Sequence, residues 1–117
     1  MFMPARELYD MHSLDTSGYG GDVGAMRRGK RQTNRVSRMG RSIQEEGVRK
    51  PVLLAHGDDP QLRPFRGGNT DPVVLANGNH RVIAAHDHDP DTEIPVEHYD
   101  SADKLYVAMR RQDQSKW

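Results

Sequence analysis

The stretch VVLANGNHRVIAA, residues 73–85, constrains the fold more than any other part of the chain. Val73, Val74, Leu75 and Ala76 form a continuous apolar run, the pattern of a strand buried on both faces. Asn77 and Gly78 come next. Before an alternating segment that pair would mark a hairpin. The chain continues instead with His80, Arg81, Val82, Ile83, Ala84 and Ala85, and the alanines suit a helix packed tightly on a sheet. A strand that runs through a glycine turn into a helix is a β-α unit and predicts a mixed α/β fold.

The remaining pattern extends this unit. Val36, Met39 and Ile43 recur at i, i+3 and i+7 and predict a helix with one buried face. Gly47 stands where a helix C′ residue belongs, and Gly40 inside the helix costs about 1 kcal/mol against Ala. After Pro51, residues 52–55 (VLLA) read as a second buried strand. Residues 94–99 (IPVEHY) read as a third, with Pro95 favouring an edge or a strand start. Ser101 is placed to cap a last helix running to about residue 111, with Asp103 in its first turn. The expected core is Val36, Met39, Ile43, Val52, Leu53, Leu54, Val73, Val74, Leu75, Val82, Ile83, Ile94, Val96, Leu105 and Met109.

Three segments read differently. Residues 15–34 carry Gly18, Gly20, Gly21, Gly24 and Gly29, with Tyr19, Val23 and Met26 as the sizeable apolar side chains, and predict a flexible loop. Before it, residues 4–14 form a short helix or an irregular lead-in anchored by Leu8, Met11 and Leu14. Residues 56–72 hold three prolines and three glycines and predict a long surface loop. The expected organisation is a lead-in over 1–34, then one small α/β domain over 35–117 with a mixed sheet, three to four helices and a loop insertion at 56–72.

At 117 residues the chain has room for one domain. No apolar run approaches the roughly 20 residues of a membrane span, and no signal peptide is visible. Cysteine is absent, which removes disulfides, thiolate metal sites and cysteine nucleophiles, and fits a cytoplasmic protein. The 17 basic and 17 acidic residues sum to a formal charge of zero, yet they are segregated. Nine bases lie between Arg27 and Lys50, against Glu45 and Glu46, while residues 87–103 hold seven acids and no base. Arg27, Arg28, Lys30, Arg31, Arg35, Arg38 and Arg41 are therefore the candidates for weak, non-specific nucleic-acid contact. The alternative is a solvated arm.

The chemistry concentrates at residues 78–81. The first amides of a helix lack internal partners, and the helix dipole adds positive charge there. Gly78 admits an anion close to the backbone, and Arg81 offers a forked cation suited to phosphate. Gly78, Asn79, His80 and Arg81 thus form a candidate phosphate cradle. The structural alternative is a tight turn at Gly78 and a surface ion pair at Arg81. His80 is the one candidate for acid, base or phosphate donor, against a capping or core histidine. The run His86-Asp87-His88-Asp89-Pro90-Asp91 offers metal-ligand types, but a calcium loop fails: Thr92 stands where its glycine belongs and His98 where its glutamate belongs. An acidic helix-to-strand turn is the simpler reading.

Three landmarks then occur in order. Ser42-Ile43 with Gly47, Pro51 and Val52 resembles the "SI-x-x-x-G-x-x-x-P-hydrophobic" stretch of the ParB amino-terminal domain. Asn77-Gly78-Asn79-His80-Arg81 resembles the phosphate motif of the same superfamily, G-E-R-R in chromosome-partition ParB proteins and G-C-H-R in sulfiredoxins. Ile94-Pro95-Val96 resembles the strand that closes the unit. The chain thus resembles the ParB/sulfiredoxin-like superfamily over residues 35–99, and most of all the small stand-alone ParB-like proteins that phages and plasmids encode.

The resemblance implies a small α/β domain whose 78–81 turn holds nucleotide phosphates, CTP or ATP with Mg²⁺. The superfamily includes CTP-binding DNA clamps, ATP-dependent sulfinic acid reductases, free-serine kinases and nucleases, so it constrains fold more than reaction. Asn79 stands where sulfiredoxins need cysteine, which excludes sulfinic acid reduction. It also stands where ParB proteins carry glutamate, and no helix-turn-helix segment fits after residue 99. Three functions stay open: a nucleotide- or phosphate-binding module with DNA association, an inactive phage-type effector that binds a host protein, and a nuclease or phosphotransferase.

Overall fold

Val52, Leu53, Leu54 and Ala55 are each no more than 1% exposed, which is why this segment has no polar alternation: it is the inner strand of a sheet covered on both faces. The computed structural model describes residues 1–32, 34–56, 59–62 and 71–113, except for the side chains of residues 34, 35, 37 and 113. Strands β1 (Phe2–Pro4), β2 (Val52–His56), β3 (Val73–Asn77) and β4 (Glu93–Tyr99) form one sheet in the order β1-β4-β2-β3. β2 pairs parallel with β4 and antiparallel with β3, and β1 adds antiparallel to β4. The fold is thus a small mixed α/β domain.

The helices α1 (Ala5–Tyr9), α2 (Val23–Arg31), α3 (Asn34–Glu46), α4 (Asn79–His88) and α5 (Ala102–Asp113) cover the sheet. On one face, Val52, Leu54, Leu75, Ile94 and Val96 meet Leu8 of α1, Val36, Met39 and Ile43 of α3, and Val82 and Ile83 of α4. On the other, Leu53, Ala55, Val74 and Ala76 meet Ala102 and Leu105 of α5 together with Leu62. The expected core is buried except for Val73 and Met109, which pack at the margins of these two clusters. Ala5, Leu8, Met26 and Leu62 are buried in addition.

Three expectations are corrected. The first concerns residues 15–32, where a flexible loop is expected and α2 forms; with α1, the short helix expected within 4–14, it brings the α-helices among the described residues to five rather than three to four. β1 covers β4. On the opposite edge, Leu75 donates to His12 O and accepts from Leu14 N, both at 2.9 Å. The first fourteen residues thereby close both edges that a three-stranded sheet would leave unpaired. α2 forms because Asp22 caps it, accepting from Ala25 N at 3.2 Å. Gly29, which reads as a breaker, serves packing: a Cβ there would stand 2.7 Å from Tyr19 Cε1.

Pro95 supplies the second correction, since β4 is an interior strand. Val96 N donates to Met1 O, so by alternation the nitrogen of residue 95 faces β2. The β2 ladder begins only at Val52↔Val96, so the missing N–H falls just before it. The third concerns the start of α5. Ser101 accepts from Leu105 N through its backbone oxygen, while the side chain that serves the first amide, Ala102 N, is Asp59 at 3.0 Å. Residues 57–58 and 63–70 of the expected 56–72 loop lie outside the described residues.

Candidate functional site

The β3–α4 turn is built as the strand-glycine-helix pattern predicts. Gly78 holds the cap position of α4 with φ +111° and has no side chain to cap the helix. The glycine is required twice over. Its φ lies in a region that L side chains rarely adopt, and a Cβ would stand 2.9 Å from Val52 Cγ2 and 3.4 Å from Arg81 Cζ. The turn opens on a cleft of about 240 Å³ lined by Asp15, Lys30, Met39, Asn77, Gly78, Asn79, His80 and Arg81. All four residues of the expected cradle therefore border one cleft, joined by two from the lead-in.

Their side chains do different work. Arg81 is 6% exposed. Its Nη1 donates to Pro51 O at 2.8 Å and its Nη2 to Gln112 Oε1 at 3.0 Å. Gln112 also donates to Pro51 O at 2.7 Å and accepts from Asn77 Nδ2 at 2.7 Å. From this buried position the Arg81 fork ties α4 to the start of β2 and to the last turn of α5. Asn79, likewise buried, accepts from Arg27 Nη1 at 2.7 Å and donates to Ser13 Oγ at 3.1 Å and Asp15 Oδ2 at 3.0 Å. Asp15 also meets Lys30 Nζ at 3.1 Å. His80 is half-buried at the cleft wall.

The basic stretch is dispersed by the fold. Arg27 is 1% exposed, so it belongs to the core and not to a nucleic-acid surface. Besides Asn79 it donates to Tyr9 O and Leu8 O at 3.0 Å and to Met11 O at 3.3 Å. These carbonyls cluster at the end of α1 and just beyond it, where Leu8 O also accepts from Met11 N at 3.2 Å. Burial lowers its pKa to about 10. Arg31 forms a two-pronged pair with Asp87, at 2.9 and 3.0 Å, and donates to Tyr9 Oη at 2.6 Å. Arg6 pairs with Asp91. Some of the segregated charge thus meets across the fold. Arg28, Arg38 and Arg41 are exposed; the side chain of Arg35 lies outside the described residues.

In the 86–91 run, His86 stacks on Tyr9 with ring centroids 3.9 Å apart, and Asp87 and Asp91 hold arginines. Among the described residues no group of three or more histidines and carboxylates is placed to hold a metal ion, and no helix is long and apolar enough to cross a membrane.

Sequence reasoning missed Asp15, Ser13 and Gln112. Asp15 and Ser13 sit in a segment without periodicity. Gln112 lies more than thirty residues from the turn it closes, and no spacing rule connects the two. No protein-family model, curated protein or solved structure matches this chain, so the site stands on its own geometry and on the residues that carry the resemblance.

Proposed function

We propose that the chain is a phosphate-binding protein of ParB/sulfiredoxin-like type that takes the phosphate end of a nucleotide at the 78–81 turn. The observation that carries this is the opening of the α4 N-terminus, begun by a glycine in place of a capping side chain, into a cleft bordered by Lys30, His80 and Arg81. Amides at a helix start and the helix dipole attract an anion there. At about 240 Å³ the cleft is smaller than the roughly 300–1,000 Å³ usual for whole small-molecule ligands. It suits a phosphate or diphosphate group, with the nucleoside outside.

The contacts support a division of roles. The amides of residues 79–81 are the anion donors. Lys30, held by Asp15, is the cation placed to turn from that carboxylate to the ligand. Arg81 shapes the turn through Pro51 and Gln112. Among the described lining residues His80 is the side chain whose ordinary pKa suits proton transfer, which makes it the candidate catalytic group if the protein turns its ligand over.

Calorimetry and thermal unfolding with pyrophosphate, CTP and ATP, each with and without Mg²⁺, test the proposal. Binding that Lys30→Ala weakens at least tenfold without loss of fold supports it. Binding without turnover identifies a module, and turnover lost in His80→Gln identifies a nuclease or phosphotransferase. Absence of binding to all three ligands overturns the reading and favours the host-protein-binding effector.

A further inference from the structure

We propose that His56 and His98 form a binding site for a divalent transition-metal ion of the copper, nickel and zinc group. The site lies at the end of β2 remote from the phosphate cleft. Val52, at one end of β2, touches Gly78; His56 ends the strand at the other.

Strand register brings the two rings together. β2 and β4 run parallel with Leu54 opposite His98, and His56, two residues on, projects from the same face as Leu54. The two imidazoles therefore share one side of the sheet on adjacent strands. His56 Nε2 faces His98 Nδ1 in direct contact, with ring centroids 4.5 Å apart and planes tilted by 57°. The far nitrogen of the second ring, His98 Nε2, lies 3.0 Å from Met1 Sδ. The described contacts of these rings are thus with each other and with a thioether, and among them no carboxylate competes for the two facing nitrogens.

Two ring nitrogens brought face to face from neighbouring strands are a ready chelate. Metal–imidazole bonds of about 2.0–2.1 Å hold two adjacent nitrogens about 3 Å apart. The rings need only rotate outward to admit an ion. His98 is exposed and His56 half-buried, so that movement leaves the core undisturbed. Water completes the coordination shell. Met1 Sδ, against the far nitrogen, orients the His98 ring, as outer partners of ligating histidines do. An all-imidazole pair selects Cu²⁺ over Ni²⁺ and Zn²⁺ and disfavours Mg²⁺ and Ca²⁺, whose ligands are oxygens. A bound ion would join the parallel pair β2 and β4.

The test titrates the full chain with Cu²⁺, Ni²⁺, Zn²⁺ and Mg²⁺ separately. Thermal unfolding and calorimetry monitor the wild type and His56→Gln, His98→Gln and His88→Gln, the last a histidine of α4 outside the pair. One Cu²⁺ per chain, a rise in Tm ordered Cu²⁺ above Ni²⁺ and Zn²⁺ with none for Mg²⁺, and at least tenfold weaker binding in either pair variant support the site. Wild-type binding no tighter than that of the pair variants, or an equal loss in His88→Gln, overturns it. If a pair variant fails to fold, the NMR spectrum of the wild type decides: Ni²⁺ must perturb the imidazoles of His56 and His98 ahead of the other histidines. Broadening spread evenly over all the histidines overturns the proposal.

Discussion

Arg27 Nη1 donates to Asn79 Oδ1 across 2.7 Å, and that bond sets the direction in which Asn79 faces. With Oδ1 committed as acceptor, the amide group must point the other way, where Nδ2 donates to Ser13 Oγ and Asp15 Oδ2. Asp15 in turn holds Lys30. A buried cation in α2 thereby arranges the carboxylate and the lysine at the cleft wall without facing the cleft itself.

Replacing Arg27 tests how much of the fold depends on it. Arg27→Met leaves Leu8 O, Tyr9 O, Met11 O and Asn79 Oδ1 without the donor they share. Each unsatisfied buried acceptor costs roughly 1–3 kcal/mol, less whatever water recovers. The expected loss is about 3–5 kcal/mol, a large part of the roughly 5–15 kcal/mol that stabilises a domain. Arg27→Lys should recover only part of this, because an ammonium cannot span four acceptors in a planar fork. Urea unfolding of both variants measures it. A loss below about 1 kcal/mol for Arg27→Met would show that the carbonyls find other partners.

The same residue gives a pH dependence with a definite sign. Burial lowers Arg27 from its ordinary value to about 10, so between about 10 and that ordinary value the unfolded chain holds a proton that the folded chain has released. Stability rises with pH wherever the unfolded state binds more protons. The stability difference between wild type and Arg27→Met should therefore be flat from neutral pH to about 9 and should grow in favour of wild type above about 10. Taking the difference cancels the lysines and tyrosines common to both chains. A difference that narrows above about pH 10 contradicts the assignment.

Gly78→Ala should cost about 1–3 kcal/mol, the range for a residue held in a sparsely populated backbone region. The φ of +111° contributes one part, and the 2.9 Å approach to Val52 Cγ2 another. Val52→Ala removes the clash but not the backbone strain. The double variant Gly78→Ala/Val52→Ala should therefore be more stable than the sum of the single losses predicts, by about 0.5–3 kcal/mol, the size of coupling seen between contacting residues. Strict additivity would mean that the turn relaxes away from β2.

The parts of the fold legible in sequence are those where one period dominates. The unbroken runs at 52–55 and 73–76 are strands because both of their faces are covered, and Val36, Met39 and Ile43 mark the inner face of α3 because polar residues surround them. The lead-in was not legible because its signals conflict. Asp22 caps α2, but Gly24 and Gly29 argue against a helix, and only the position of the Tyr19 ring explains Gly29. Arg27 was illegible for another reason. A buried arginine and a surface arginine have the same local sequence, and only tertiary contacts bring three carbonyls and an amide to this one. The turn at 78–81 was legible as backbone, whereas the side chains that arrange it, Asp15 and Gln112, come from segments with no local link to it.

The dispersal of the basic stretch sets the last expectation. Each phosphate contact contributes about −0.9 to the slope of log affinity against log salt. Read from sequence, about five contacts among the seven bases give a slope near −4 to −5. In the fold Arg27 is buried, Lys30 is held by Asp15 and Arg31 by Asp87. Among the described side chains Arg28, Arg38 and Arg41 are left as exposed bases, and three contacts give a slope of about −2.7. Binding to duplex DNA should therefore be weak, insensitive to sequence and only moderately dependent on salt. Triple replacement of Arg28, Arg38 and Arg41 by Gln should abolish it with little effect on stability, since exposed positions usually change stability by no more than about 0.5 kcal/mol. Fluorescence anisotropy at several salt concentrations measures the slope. A slope of about −5 or steeper would exceed what these three bases supply and would make this face a nucleic-acid surface after all.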